Sequence, residues 1–433
     1  MQNRQSLLRR DKADTSDTPR TLENWFQKNK WSIIVLLIAG FLFACLLIYT
    51  KDDSQPVFQP TANDAVVYEK AKVLEIRDDT ISADLIAVDH VEIGSQRLLV
   101  KIDSGIFDGT QVEVMNNVST FTGRSVEVGD DIIISMYIEF YEKDEDYPAG
   151  QARYLGEDGV YVLNSTPAVY SPNRTWAIVI LLAVFVAVTV FVGGKTGLKS
   201  LLGLVLTVIC IIWIMCPLLM KGAPMVWTAL GLCVFVTVVC FVILGGVTKK
   251  TVCAILGTVA GVALAAVFGE IAQGIAKVNS YNMYDISGEL EEFKNMQLMG
   301  IPLHITGVMT AGIIISSLGA VMDVAMSLSS SMSELKAVNP QLTFSDLCKS
   351  GMNIGRDMVG TMTNTLILAF AGSSLILIIW MWSLNLTFHQ LVSSPFLSVE
   401  LISALSSSIG VILAVPVTVL IGAWFYTRAK KSK

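Results

Sequence analysis

The sequence predicts a polytopic α-helical membrane protein of about eight transmembrane helices with an inserted small all-β, OB-like extracytoplasmic domain. Three observations carry this. Hydrophobic residues make up 53% of the 433 and charged residues only 16%, with a mean hydropathy of +0.58, above that of a water-soluble domain. Uncharged apolar stretches recur, and roughly 20 such residues at ~1.5 Å rise cross a ~30 Å hydrocarbon layer. Residues 51–174 hold 23 Asp and Glu against 10 Lys and Arg in a chain of net charge −6, an acidic block inside a basic framework.

Residues 1–30 form a polar, basic cytoplasmic tail, and 31–50 an anchor helix. The apolar run from Trp31 to Tyr49 leads into Thr50, Lys51, Asp52 and Asp53 with no small-x-small site, so it reads as a retained start-transfer anchor. Seven further spans follow at 176–192, 200–219, 225–244, 252–269, 302–321, 362–384 and 401–425, within a membrane domain covering 174–426. With the N-terminus inside, eighteen basic residues fall on inner segments, including the tail 427–433, against Lys221, Lys277 and Lys294 outside. That asymmetry places both termini in the cytoplasm, residues 51–174 outside, and the chain in the plasma membrane as a multi-pass protein.

The outer domain, 55–172, alternates in the β manner at Val73, Leu74 and Ile76, at 97–102, at 111–114 and at 132–141. Turns fall at Asp108-Gly109 and Gly129-Asp130, which suits a barrel of five or six strands. Its run Glu142, Asp144, Glu145, Asp146 lacks the ligand spacing and glycine of a calcium loop and reads as a solvated face.

Several chemistries find no support. There is no CxxC pair, the outer domain has no cysteine, and His90, His304 and His389 are far apart, so no disulfide, metal or redox site is expected. Gly194-Lys195-Thr196 has Thr189 where a phosphate loop needs glycine. No catalytic constellation or cofactor site is present, and the basic tail fits orientation and lipid contact rather than nucleic acid.

The candidate residues are polar groups at span edges and small-residue faces within spans. Gly257, Gly261 and Ala265 recur every four residues, as do Gly312, Ser316 and Ala320, and Thr365, Ala369 and Ser373; such faces let helices approach closely. A charge in hydrocarbon costs at least ~2.5 kcal/mol, which singles out Glu270, Asp323, Asp357 and Glu400 at span ends. Beyond 321 helical spacing continues toward Glu334, with Asp323, Ser327, Ser330 and Glu334 on one polar face, until Pro340. A second helix starts near Thr343, with Asp346 in capping-box position, and carries Asn353, Arg356 and Asp357 toward Asn364. Together these make a cytoplasmic hairpin, 322–360, in which Arg356 is expected to pair with Asp323. Pro416 removes one backbone bond in the last span, frees the carbonyl of Ile412 and should kink the helix. Broken helices near the midplane are where secondary transporters place substrate sites.

The segments Gly319–Ser331, Ser350–Asp357 with Gly360–Leu368, and Glu400 with Ser408–Thr418 resemble the YibE/F family of bacterial multi-spanning membrane proteins over about residues 170–426. The resemblance implies an architecture without an assigned activity or catalytic residues. It also implies a homo-oligomer or a paired second YibE/F-like protein, and, with the cysteine-free outer domain, a Gram-positive source. The function expected is a transporter or permease component, with Asp323, Asn353, Arg356, Asp357, Asn364 and Pro416 as transport or gating residues and Glu270 and Glu400 behind them. The alternative is a membrane scaffold or sensor whose outer domain binds a partner.

Overall fold

The computed structural model describes residues 18–50, 65–83, 92–119, 124–141, 153–155, 160–163, 167–278 and 307–428. The tail 1–17, the acidic run Glu142–Asp146, His90, Lys294, residues 302–306 (with His304) of the expected span 302–321 and 429–433 lie outside the described residues. Two compact units divide the chain, Asp52–Val188 and Met1–Lys51 with Thr189–Lys433.

The first unit carries strands β1 (Ala65–Asp79), β2 (Ser82–Ala83), β3 (Glu92–Ile102), β4 (Gln111–Val118), β5 (Asp131–Tyr141), β6 (Arg153–Leu155), β7 (Val160–Leu163) and β8 (Ala168–Pro172). Five of them close a barrel in the order β1-β3-β4-β8-β5, with β5 returning to β1. All these pairs are antiparallel except β4 with β8. Alternation does the work: Val73, Leu98, Val100, Ile102, Val114, Ile132, Ile134 and Met136 point inward and are buried. Gly109 and Gly129 take positive φ at the expected turns, a region that favours glycine.

Two polar residues interrupt this core, Gln96 and Asn116, both buried. Asn116 Nδ2 donates to Gln96 Oε1 at 3.0 Å and to the Arg124 carbonyl at 2.9 Å, and the Val126 N–H donates to Gln96 Oε1 at 3.1 Å. The pair thus binds the stretch 124–126 to the sheet. Gln96 Nε2 also donates to Asp79 Oδ2 at 2.9 Å, and the Ile81 N–H donates to Oδ1 at 2.9 Å. These two bonds, Gln96 first, hold the Asp79 carboxyl below its ordinary value of 3.8. A carboxylate favoured in the fold adds stability that is complete above that ordinary value and disappears as pH falls through the lower folded one. Asp79→Asn is therefore expected to blunt the acid sensitivity of the barrel below pH 3.8, read by hydrogen exchange at Gln96 and Val126 in the whole protein. An acid profile identical to the parent's would remove Asp79 from this account.

The second unit, with the first turns of its second helix shared between units, is helical: α1 (Thr18–Thr50), α2 (Thr175–Ile209), a π-helical turn Cys210–Met215, α3 (Cys216–Met220), α4 (Met225–Gly245), α5 (Lys249–Ala276), α6 (Val308–Val338), α7 (Phe344–Ser373), α8 (Leu375–Ser383), α9 (Phe388–Val392) and α10 (Pro395–Arg428). Among the described residues six helices are long and apolar enough to cross a membrane, or seven if α7 and α8, bent by 58°, count as one.

Two spans differ from the sequence reading. The expected crossings 176–192 and 200–219 lie on one helical run, Thr175–Met220, of 46 residues, broken at Gly194 (φ 52, ψ −134) rather than joined by a loop. A Cβ on Gly197 would collide with the Thr189 carbonyl, although eight residues of straight helix span ~12 Å, so the chain turns sharply there. The expected crossing 362–384 is the end of α7 plus α8, which bend at Ser374.

Helix α1 is stitched into this unit at its C-terminal end and again midway along its length. Pro217 has no N–H for the carbonyl of Trp213, and Thr50 Oγ1, buried, donates to that carbonyl at 3.1 Å. Lys221 Nζ donates to the Tyr49 carbonyl at 2.6 Å, and midway along α1 the Val247 N–H donates to Ser32 Oγ at 3.0 Å.

Candidate functional site

The most closely packed part of the helical unit is the triad α5, α6 and α10, and small residues make it possible. A Cβ built on Gly261 would meet Ala414 Cβ at 2.6 Å and Val321 Cγ1 at 2.8 Å, and one on Gly410 would meet Ala265 Cβ at 2.5 Å. Gly257 approaches Thr418 in the same way, and Gly269 approaches Ile313. The expected face on α5 therefore packs against Gly410, Ala414 and Thr418 of α10. The small stripe of α6 divides: Ser316 hydrogen-bonds Ser407 at 2.9 Å and Ala320 packs half-buried against the core, whereas Gly312 has open space where a Cβ would be.

At one end of the triad Thr310, buried in the first turn of α6, joins two residues of α5. Its Oγ1 donates to Glu270 Oε1 at 2.6 Å and accepts from Gln273 Nε2 at 2.9 Å, and Gln273 also donates to the Gly269 carbonyl at 3.1 Å. Glu400 lies at this same end, half-buried, next to Val399, which packs with Ile402 against Ala265, Met309 and Ile313.

Toward the other end α10 continues unbroken through Pro416, which is half-buried. Two residues further, Thr418 is fully buried and its hydroxyl has no hydrogen-bond partner among the described residues; Thr258 on α5 is in the same condition. A helical threonine ordinarily donates to a carbonyl in the preceding turn, and an unmade buried hydrogen bond costs about 1–3 kcal/mol. Around Thr418 lie Cys253, whose Sγ donates to the Thr418 carbonyl at 3.6 Å, and Gly422. Tyr426 Oη donates to the Ser329 carbonyl at 3.0 Å.

The hairpin of α6 and α7 forms as its caps predict. Thr343 Oγ1 accepts from the Asp346 N–H and the Asp346 carboxylate accepts from the Thr343 N–H at 3.0 Å. Asp323, Ser327 and Glu334 are exposed on one face of α6, and Lys250 Nζ donates to Ser330 Oγ on that face at 3.1 Å.

The pairing of Asp323 with Arg356 does not form. Among the described residues the ion pairs are Arg77 with Glu75 and with Glu113, and Lys101 with Asp103, all in the barrel. The cause lies in α7: Gly351 packs on Met332 and Val419, and Gly355 on Val415. Arg356, about 100° further round the helix from Gly355, is exposed and donates to Asn353 Oδ1 at 3.4 Å. Asn353, Arg356, Asp357 and Asn364 are all exposed. The candidates therefore fall into three groups: Glu270 with Glu400, Pro416 beside Thr418, and the outer face of α7, with Asp323 separate on α6. Sequence reasoning misses Thr258, Thr310, Gln273 and Thr418, which carry no charge to single them out.

A family model described as YibE/F-like protein matches residues 181–428. No curated protein and no solved structure matches the chain. The matched stretch runs from within α2 to the end of α10 and covers more than half of the sequence, including the triad and the hairpin. The chain belongs to the YibE/F-like family.

Proposed function

We propose that the protein is a transporter or permease component of the plasma membrane. With α7 and α8 counted as one crossing and the run Thr175–Met220 as two, the described residues give eight crossings, and on this reading the basic-residue asymmetry puts both termini in the cytoplasm and the OB-like barrel outside. The observation that carries the reading is two of the four buried hydroxyls that have no partner among the described residues, Thr258 and Thr418, the latter beside Pro416 and the carbonyl it frees at Ile412. Such unsatisfied groups near a proline in mid-helix supply the donors and acceptors a polar solute needs in a dry interior.

The test is purification from native membranes in mild detergent, followed by native mass spectrometry of bound small molecules and lipids. A defined ligand in stoichiometric amount is expected, reduced at least tenfold in Thr418→Val, which keeps the side-chain shape. An empty parent protein, or a ligand retained equally by Thr418→Val, would refute the reading. The scaffold or sensor alternative draws on one observation: Tyr68, Tyr137 and Tyr170 are exposed on adjacent strands of the barrel, the first and last edge to face at 4.8 Å.

A further inference from the structure

Helix α7 has two unlike faces. Leu347, Gly351 and Gly355 are buried, and Met358, Met362 and Leu366 pack partly against the same core. On the other side Asn353, Asp357, Gly360, Asn364, Ile367 and Ala371 are all exposed. Their steps of four, three, four, three and four residues are those of a heptad seam, the pattern by which one helix lies along another. A Cβ at Gly360 meets nothing.

The seam is polar where α7 leaves the hairpin and apolar beyond, and its charges are not matched by an ion pair among the described residues. Arg356 and Asp357 are neighbours of opposite sign, and neither joins an ion pair among the described residues. From this geometry we propose that two copies of the chain pair in parallel along the outer face of α7, about a two-fold axis running along the helices. In a parallel two-helix seam a side chain at an a position, where these steps put Asp357, packs beside the residue that precedes its counterpart. Asp357 of one copy then meets Arg356 of the second, and symmetry repeats the contact. Gly360 lets the backbones approach. Asn364 faces its own copy, where an amide both donates and accepts and so fixes register. Self-complementarity of this kind selects a second copy of this chain, because an unrelated partner would have to supply an acid and a base in the same order.

The experiment is oxidative cross-linking in native membranes, in full-length chains with the less buried Cys45, Cys216 and Cys348 changed to serine. Ile367→Cys is expected to give a disulfide-linked species of two 47.0 kDa chains, at least tenfold more than Ala369→Cys, which lies about 200° away on the helix. Asp357→Arg, which puts two arginines on each side of the seam, should lower that yield several-fold. Co-expression with a chain carrying Arg356→Asp should restore it as a mixed pair, which a merely misfolded variant could not do. Equal cross-linking at 367 and 369, an unaffected Asp357→Arg or a failure of the mixed pair would each overturn the proposal. So would mass spectrometry that finds a different protein in the cross-linked band.

Discussion

Gly261→Val is expected to break up the α5, α6 and α10 triad. Its first added carbon would stand 2.6 Å from Ala414 Cβ and 2.8 Å from Val321 Cγ1, with the Gly410 carbonyl at 3.3 Å. Relief by rotating one flexible side chain is closed off, because Ala414 has none and Val321 is fully buried. Overpacking of a tight core costs about 1–3 kcal/mol and more where backbone must move, so a loss of at least about 3 kcal/mol is expected at this three-way crossing. Thermal unfolding followed by fluorescence-detected size exclusion in detergent would show it. Gly312→Val, on the same triad but in open space, serves as the comparison. If Gly261→Val melted with Gly312→Val, the close approach of α5 to α10 would be refuted.

Thr310→Val should have the next largest effect. The substitution preserves shape and removes the hydroxyl that accepts from Gln273 and donates to Glu270. Leaving such groups without their partner costs about 1–3 kcal/mol, and the unfolding temperature should fall accordingly. Thr310→Ser keeps both hydrogen bonds and should stay closer to the parent. If valine and serine behaved alike, the hydroxyl would not be what joins α6 to α5.

The parts of this fold that were legible in the sequence are those decided by near neighbours. Thr343 and Asp346 announce a helix start because the two groups satisfy each other within four residues, and the continuation of α6 beyond residue 321 follows from apolar spacing alone. The barrel likewise shows itself through alternation and through glycine at 109 and 129. The pairing of Asp323 with Arg356 fails for the opposite reason. Which face of α7 turns inward depends on Gly351 and Gly355 meeting Val415 and Val419 of α10, a contact between residues some 60 positions apart. That repeat of glycines was a usable signal, of the same kind as Gly257 and Gly261. Thr310 and Gln273 offered none, since threonine and glutamine are ordinary at helix ends. The role of Thr50 could have been suspected from Pro217, which must leave one carbonyl without its usual donor.

The fastening of α1 also sets an order of events during synthesis. Thr50 is separated from Trp213 by 163 residues and Ser32 from Val247 by 215. At ~5–20 residues per second, the ribosome needs about 8–33 seconds to deliver the first of these partners and about 11–43 seconds to deliver the second. The acidic barrel sequence is made in that interval, before either of these partners of α1 has been translated. Helix α1 is thus among the last elements to be locked into its unit, and its Thr50 end is fastened before Ser32 is.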